Sequence, residues 1–249
     1  MIDHNNWYKY FFDGLALDLW DRVATPDRTA KEIGFIKSLI HLEENSRVLD
    51  MPCGSGRHSI ALASEGYQLT SVDISDQYID RLKKEVISKN LSMEVLKMDM
   101  LNYNTETQHE AVLCLGNSFS YFTYDKMLHF AKVLSDATRQ GGFLLINTSS
   151  LAESILPNQE TQNWMEVGNL YFLMSHEYNS LLGTVKTDMQ FIQGDRIEKK
   201  TAYHFSYTLA EIVRMLASVG FHINKVYGDS EGNSFKLGDR QAYILLEKH

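Results

Sequence analysis

What the chain lacks narrows the field first. No apolar run approaches the ~20 residues that a membrane-crossing helix needs, and the N-terminus has Asp3 and Asp13 instead of a positive region before an apolar block. Neither a membrane partner nor a signal peptide is therefore expected. Positive charge is scarce: the formal net charge is -8 and the pI is about 5.6, with no dense Lys/Arg cluster. That balance argues against nucleic acid, whose binders usually show a basic face. Only two cysteines occur, Cys53 and Cys114. They read as small, reduced core residues at the carboxyl ends of neighbouring strands, and they point to the cytoplasm. No Cys/His spacing suggests zinc, so no metal is expected. Internal repeats and low-complexity linkers are also missing. At 249 residues and 44% hydrophobic, the chain can form one large α/β domain, or one domain with an insertion.

The stretch Arg47-Val48-Leu49-Asp50-Met51-Pro52-Cys53-Gly54-Ser55-Gly56-Arg57 is the most informative. Val48 and Leu49 suit a short buried strand that Asp50 closes. The small residues Cys53 to Gly56 suit a tight turn, and a helical pattern then runs from Arg57 to Gly66. Gln68 to Val72 reads as a second strand ending on Asp73. This is a nucleotide-binding βαβ unit with backbone N–H groups open at the helix start. The third glycine of the dinucleotide fingerprint is missing, and Asp50 would repel a pyrophosphate, which counts against NAD. S-adenosylmethionine carries no phosphate but has an ammonium and a sulfonium, which an acid can help to hold. Asp73 can accept both ribose hydroxyls.

The residues Val48-Leu49-Asp50-x-x-Cys53-Gly54-x-Gly56-Arg57, followed by Ser71-Val72-Asp73-Ile74-Ser75, resemble motifs I and II of class I S-adenosylmethionine-dependent methyltransferases. The resemblance is best over residues 45–150. It implies a Rossmann-like doubly wound sheet of seven strands, mostly parallel with one antiparallel edge strand. Helices would cover both faces, and an antiparallel β insertion would form a lid. It also implies cofactor contacts from Asp50, Cys53, Gly54, Gly56, Arg57, Asp73 and Ile74. Asp99 stands where such enzymes place an acid for the adenine amino group, and Met100 would lie on the adenine ring. Ala111 to Gly116 reads as the fourth strand and Asn117-Ser118-Phe119 opens its end, so Leu115, Gly116 and Asn117 are expected at the edge that faces the reacting methyl. Leu115-Gly116-Asn117-Ser118-Phe119 is similar to the corresponding site of glycine N-methyltransferase-like enzymes. It lacks the Pro-Pro signature of enzymes that methylate base nitrogens, since Pro26, Pro52 and Pro157 all lie elsewhere.

Four regions are expected: an N-terminal helical cover (1–45), the cofactor core (46–150), a β lid that receives the acceptor (151–207), and the end of the core (208–249). In the cover, the aromatic run Trp7 to Phe12 and Trp20 suit packing over the domain or the ligand, and a helix is expected over Thr29–Leu42. Ser75 should cap a helix to about Lys89. Helix Asp125–Arg139 should break at Gly141-Gly142, with a fifth strand at Phe143–Asn147. Lid strands are expected at Leu170–Leu173, Thr184–Ile192 and Arg196–Tyr207, with a turn at Gly194-Asp195. Thr208-x-x-Glu211 is a capping box whose helix Gly220 ends, and the last strands are Phe221–Tyr227 and Gln241–Leu246. The function expected is methyl transfer to a small molecule. An amine nitrogen is the acceptor expected first; the alternatives are a hydroxyl or carboxylate oxygen, or a cofactor-binding protein without transferase activity. His58, His129, His176, His204, His222, Tyr121 and Tyr124 are available, and none is singled out as a base.

Overall fold

The computed structural model describes residues 6–249; Asp3 and the rest of the first five residues of the expected cover lie outside the described residues. A 3-10 turn, Trp7–Tyr10, leads into α1 (Gly14–Val23) and α2 (Pro26–Leu39). α2 starts and stops earlier than the apolar stripe suggests. Thr25 accepts the Arg28 N–H as a cap, and Pro26 takes a first-turn position where its missing N–H costs nothing. Ile40 is already extended.

Then come β1 (Arg47–Asp50), α3 (Arg57–Ser64), β2 (Gln68–Asp73), α4 (Asp76–Lys89) and β3 (Met93–Lys97). Next are β4 (His109–Cys114), α5 (Tyr124–Ala137), β5 (Thr138–Thr148) and the single turn α6 (Ala152–Ile155). The lid strands are β6 (Gln162–Val167), β7 (Leu170–Asn179), β8 (Thr184–Gln193) and β9 (Arg196–Phe205). α7 (Leu209–Ala217), β10 (Phe221–Tyr227) and β11 (Ala242–Lys248) close the chain.

Ser75 caps α4 by accepting the Tyr78 N–H, and Thr208 and Glu211 form the reciprocal capping box of α7. Gly141-Gly142 does not end α5. The chain turns extended at Thr138, and the glycines lie inside β5, where its pairing with β4 slips between His109 and Ala111. A bulge with small residues serves that slip. β6 has no counterpart among the expected strands. It is mostly exposed on both faces, so its sequence shows no apolar alternation.

The main sheet has the order β10-β11-β5-β4-β1-β2-β3. All neighbours are parallel except at one edge, where β11 runs against both β5 and β10. Strand alternation divides the core into two layers. Leu49, Val112, Leu144 and Ile244 face the layer that includes Met127 and Phe130 of α5 and Met215 of α7. Val48, Leu113, Leu145 and Leu245 face Ile33 and Ile36 of α2 and Leu62 of α3. Helices on both faces explain why these strands read as continuous apolar runs. The order reverses between β1 and β4, so their carboxyl ends flank the crevice where doubly wound sheets bind ligands. The lid strands form a separate antiparallel sheet, β6-β7-β8-β9. Among the described residues no helix is long and apolar enough to cross a membrane.

Candidate active site

At that crevice lies a cavity of about 950 Å³, walled on one side by the strand ends and on the other by the lid and the N-terminal segment. The strand-end wall is built from local chain geometry. Gly54 (φ +55°) and Gly116 (φ +71°) both line the cavity, and a Cβ added to either would meet nothing within 4 Å. Side chains there would instead occupy the cavity. Gly56 (φ +75°) is needed for another reason: its Cβ would strike the Leu82 side chain at 2.5 Å, so its absence lets α4 pack against the turn.

Asp73, at the end of β2, is on the cavity wall and ties the turn to the strand. Its Oδ2 accepts the Gly54 N–H (2.8 Å) and its Oδ1 the Ser75 N–H (2.8 Å). Burial pushes this carboxyl above its usual range, and the Ser75 and Gly54 N–H groups offset part of that. A carboxylate has about four acceptor positions, so two remain for ligand hydroxyls.

Cys53, Gly54, Arg57, Asp73 and Ile74, together with Met100, Leu115, Gly116 and Asn117, all line the cavity. Three expected contacts do not. Asp50 is sealed beneath the turn at 1% exposure, where Ser59 Oγ donates to it at 2.6 Å, and burial raises its carboxyl. Gly56 packs on Leu82. Asp99 accepts the Tyr8 hydroxyl at 3.0 Å and lies 3.1 Å from Lys9 Nζ, so it anchors the N-terminal turn. Asn117 lines the cavity while its Oδ1 accepts from Ser149 N–H (2.7 Å) and from the Thr148 and Ser150 hydroxyls (3.1 and 3.2 Å).

The second wall uses side chains that meet only in three dimensions. Trp7 packs against Tyr121 (4.8 Å between centroids) and His204 (5.1 Å), which joins the N-terminal turn, the loop after β4 and lid strand β9. Phe11 and Trp20, singled out by the aromatic run, are on the wall; Tyr10 points away at 72% exposure. Burial lowers the His204 imidazole to about 4, with His176 adding to the effect. Burial also lowers His176 and raises the Tyr121 phenol and both thiols. At neutral pH this wall therefore carries neutral imidazoles and a protonated phenol.

Sequence reading missed an ionic cluster at one end. Glu32, 7% exposed on α2, accepts from Arg28 Nε (3.0 Å) and His58 Nε2 (2.8 Å) and is paired with Arg57. Burial alone would raise the Glu32 carboxyl, but His58, Arg57 and Arg28 outweigh it and hold it at about 2. Arg28, Arg57 and His58 line the cavity. Glu32 and Arg28 lie one helical turn apart, which a charge-pattern scan could have noted; their meeting with Arg57 has no local signal.

The glycine cradle, the Asp73 acceptor and the guanidinium groups of Arg28 and Arg57 on the cavity wall fit a nucleoside with an amino-acid tail and no phosphate. S-adenosylmethionine is such a molecule. A family model described as a methyltransferase domain matches residues 48–142. Human glycine N-methyltransferase is 32% identical over 155 residues, 55% of this chain and 52% of that protein. The chain thus spans about half the length of the mammalian relatives it matches. The glycine/sarcosine N-methyltransferase of Aphanothece halophytica is 22% identical, with 99% of this chain and 92% of that protein covered. In fold, the CcbJ methyltransferase of Streptomyces caelestis superposes with a TM-score of 0.82 over 98% of both chains at 16% identity. Residues 48–142 thus match a methyltransferase domain, and the chain has the fold of S-adenosylmethionine-dependent methyltransferases.

Proposed function

We propose that this chain transfers a methyl group from S-adenosylmethionine to an amine nitrogen of a small molecule. The cofactor supplies an electrophilic methyl on a sulfonium, already a good leaving group. The protein's work is then to hold two partners in line and to exclude water. Asp73 would accept the ribose hydroxyls, Gly54 and Gly116 would let the nucleoside approach the backbone, and Arg28 and Arg57 would meet the methionine carboxylate. Met100 would pack on the adenine. Asp50 would act through the turn it closes and Asp99 through the N-terminal segment it anchors, since neither lines the cavity.

The observation that carries this reading is a single cavity with a strand-end wall and a separate lid wall. A volume of about 950 Å³ lies near the upper end of the ~300–1,000 Å³ range of ligand pockets, which suits a cofactor and an acceptor together. That room speaks against a cofactor-binding protein without transferase activity. Protonated Tyr121 and buried thiols offer no strong base, and the neutral imidazoles are weak ones, since burial lowers both and the two ring nitrogens of His176 are occupied by Thr187 and Asn163. A neutral amine needs none, whereas a hydroxyl usually does, so nitrogen is favoured over oxygen. The names of the glycine and sarcosine N-methyltransferase relatives support the same element.

Residues 1–45 and 151–207 would form the cover and acceptor lid around a core of 46–150 and 208–249. Net charge -8 supports a small-molecule partner and not nucleic acid. Two unpaired cysteines suit the cytoplasm. Transfer of labelled methyl to a panel of amines and alcohols, with S-adenosylhomocysteine binding measured by calorimetry, tests the proposal. Binding with transfer only to hydroxyls would move the assignment to oxygen, and the absence of binding would end it.

A further inference from the structure

The lid sheet presents one face to the cavity and the other outward, and the two faces differ in charge. Along β7, Met174, His176 and Tyr178 line the cavity, while Tyr171 and Leu173, one position out of phase, are exposed. Along β8, Val185 and Thr187 line it, and the intervening Lys186 and Asp188 pair with each other on the opposite face. His204 of β9 lies opposite Val185, and Thr187 lies opposite His176. The cavity-facing patch therefore holds no carboxylate, lysine or arginine.

Its polar groups are organised among themselves. His176 Nε2 is 3.2 Å from Asn163 Oδ1, and Nδ1 is 3.0 Å from Thr187 Oγ1. An amide oxygen can only accept, so Nε2 carries the proton and Nδ1 accepts from the threonine hydroxyl. This arrangement uses the Asn163 carbonyl and the Thr187 proton. What the patch can offer a ligand is amide N–H and hydroxyl lone pairs, beside the apolar surfaces of Met174, Tyr178 and Val185. Burial keeps both imidazoles neutral near pH 7.

The charges on the cavity lie elsewhere. Arg28 and Arg57 are tied to Glu32 beside the glycine turn, Asp73 ends β2, and Arg240 and Glu160 are exposed. Docked on this lid patch, a free amino acid would set its carboxylate against uncharged groups, which is expensive without a cation in contact; Arg240, which also lines the cavity, lies outside the patch.

Building on the methyltransferase reading, we infer that the acceptor docks on the lid sheet through an uncharged, hydroxylated ring, as in an amino-sugar unit, and is not a free amino acid. Hydroxyls of such a ring both donate and accept, which matches Thr187 and Asn163, and its C–H face suits Tyr178 and Met174.

The test is labelled-methyl transfer by the full chain to a set of methyl glycosides of amino sugars, against glycine and sarcosine at the same S-adenosylmethionine concentration. Glycoside transfer should saturate, with kcat/KM about 100-fold or more above that for either amino acid, because a polar site left unpaired discriminates strongly. Thr187→Val and Asn163→Leu should each raise the glycoside KM about tenfold, as expected for one lost hydrogen bond. Both should leave S-adenosylhomocysteine affinity within about twofold, which a general folding defect would not. Preference for glycine or sarcosine overturns the inference. So does S-adenosylhomocysteine binding without transfer to any glycoside, or variants that weaken S-adenosylhomocysteine binding as much as they raise the glycoside KM. Loss of S-adenosylhomocysteine binding in the wild-type chain would overturn the methyltransferase reading as well.

Discussion

The two walls of the cavity are made in different ways. On the strand-end side, the key features are the left-handed glycines Gly54 and Gly116 and the strand-end acid Asp73, each set within its own short segment. On the lid side, the features are side chains brought together from Trp7, Tyr121 and His204 across the length of the chain. A backbone cradle tolerates few substitutions but can be written in a short motif. A wall of alternating side chains can be rewritten one residue at a time without disturbing the sheet that carries it.

Substitutions that strike one wall and spare the other sharpen this comparison. The largest effect expected is from Gly54→Val. A β-branched side chain at φ +55°, with its Cβ directed into open cavity, should abolish S-adenosylhomocysteine binding in calorimetry while far-UV circular dichroism stays unchanged. Trp7→Ala removes a ring only 3% exposed from between Tyr121 and His204. It should cost about 3–5 kcal/mol in denaturant unfolding and raise the acceptor KM more than it weakens cofactor binding.

Acid should separate the walls by pH. Glu32 is held at about 2 against a usual 4.5, so its stabilisation is complete above pH 4.5 and is lost as pH falls toward 2. At ~1.4 kcal/mol per pH unit this amounts to about 3 kcal/mol, and Glu32→Gln should remove that slope. His204, lowered to about 4 from 6.5, makes folding weaker as pH falls through that higher window, because the unfolded chain takes up the proton first. His204→Phe should reduce the slope between pH 6.5 and 4 and leave the Glu32 slope at lower pH untouched, with the lowered His176 and His109 supplying what remains. A wild-type stability curve without either slope would break the comparison.

The smallest effect expected is from Asp73→Asn. It keeps the shape and an acceptor oxygen but removes the charge, and should weaken cofactor binding by about 1.5–3 kcal/mol. Unchanged affinity by calorimetry would place the ribose elsewhere.

Much of the strand-end wall could be read from the chain, because each feature there obeys a local rule. Gly54 sits where only a residue without Cβ leaves the crevice open, and Asp73 ends a short strand. Thr208 and Glu211 announced their capping box for the same reason. The structure departs from the sequence expectation where a tertiary partner decides. Asp50 and Asp99 were expected at the ligand; neither lines the cavity, and Ser59 bonds the first while Tyr8 and Lys9 hold the second. Gly141-Gly142 looked like a helix stop, but pairing with β4 draws them into a strand. β6 could not be read, since a strand exposed on both faces carries no hydrophobic period.

Short-range physics, then, was enough to dictate the βαβ unit, its glycine turn and the acid that closes β2, because φ preference, strand alternation and helix capping act within a few residues. The identity of the second wall, the neutral state of its histidines and the Glu32 ion cluster came from folding alone. Burial and pairing between residues tens to hundreds of positions apart set those properties, and no local pattern encodes which distant side chain will be the neighbour.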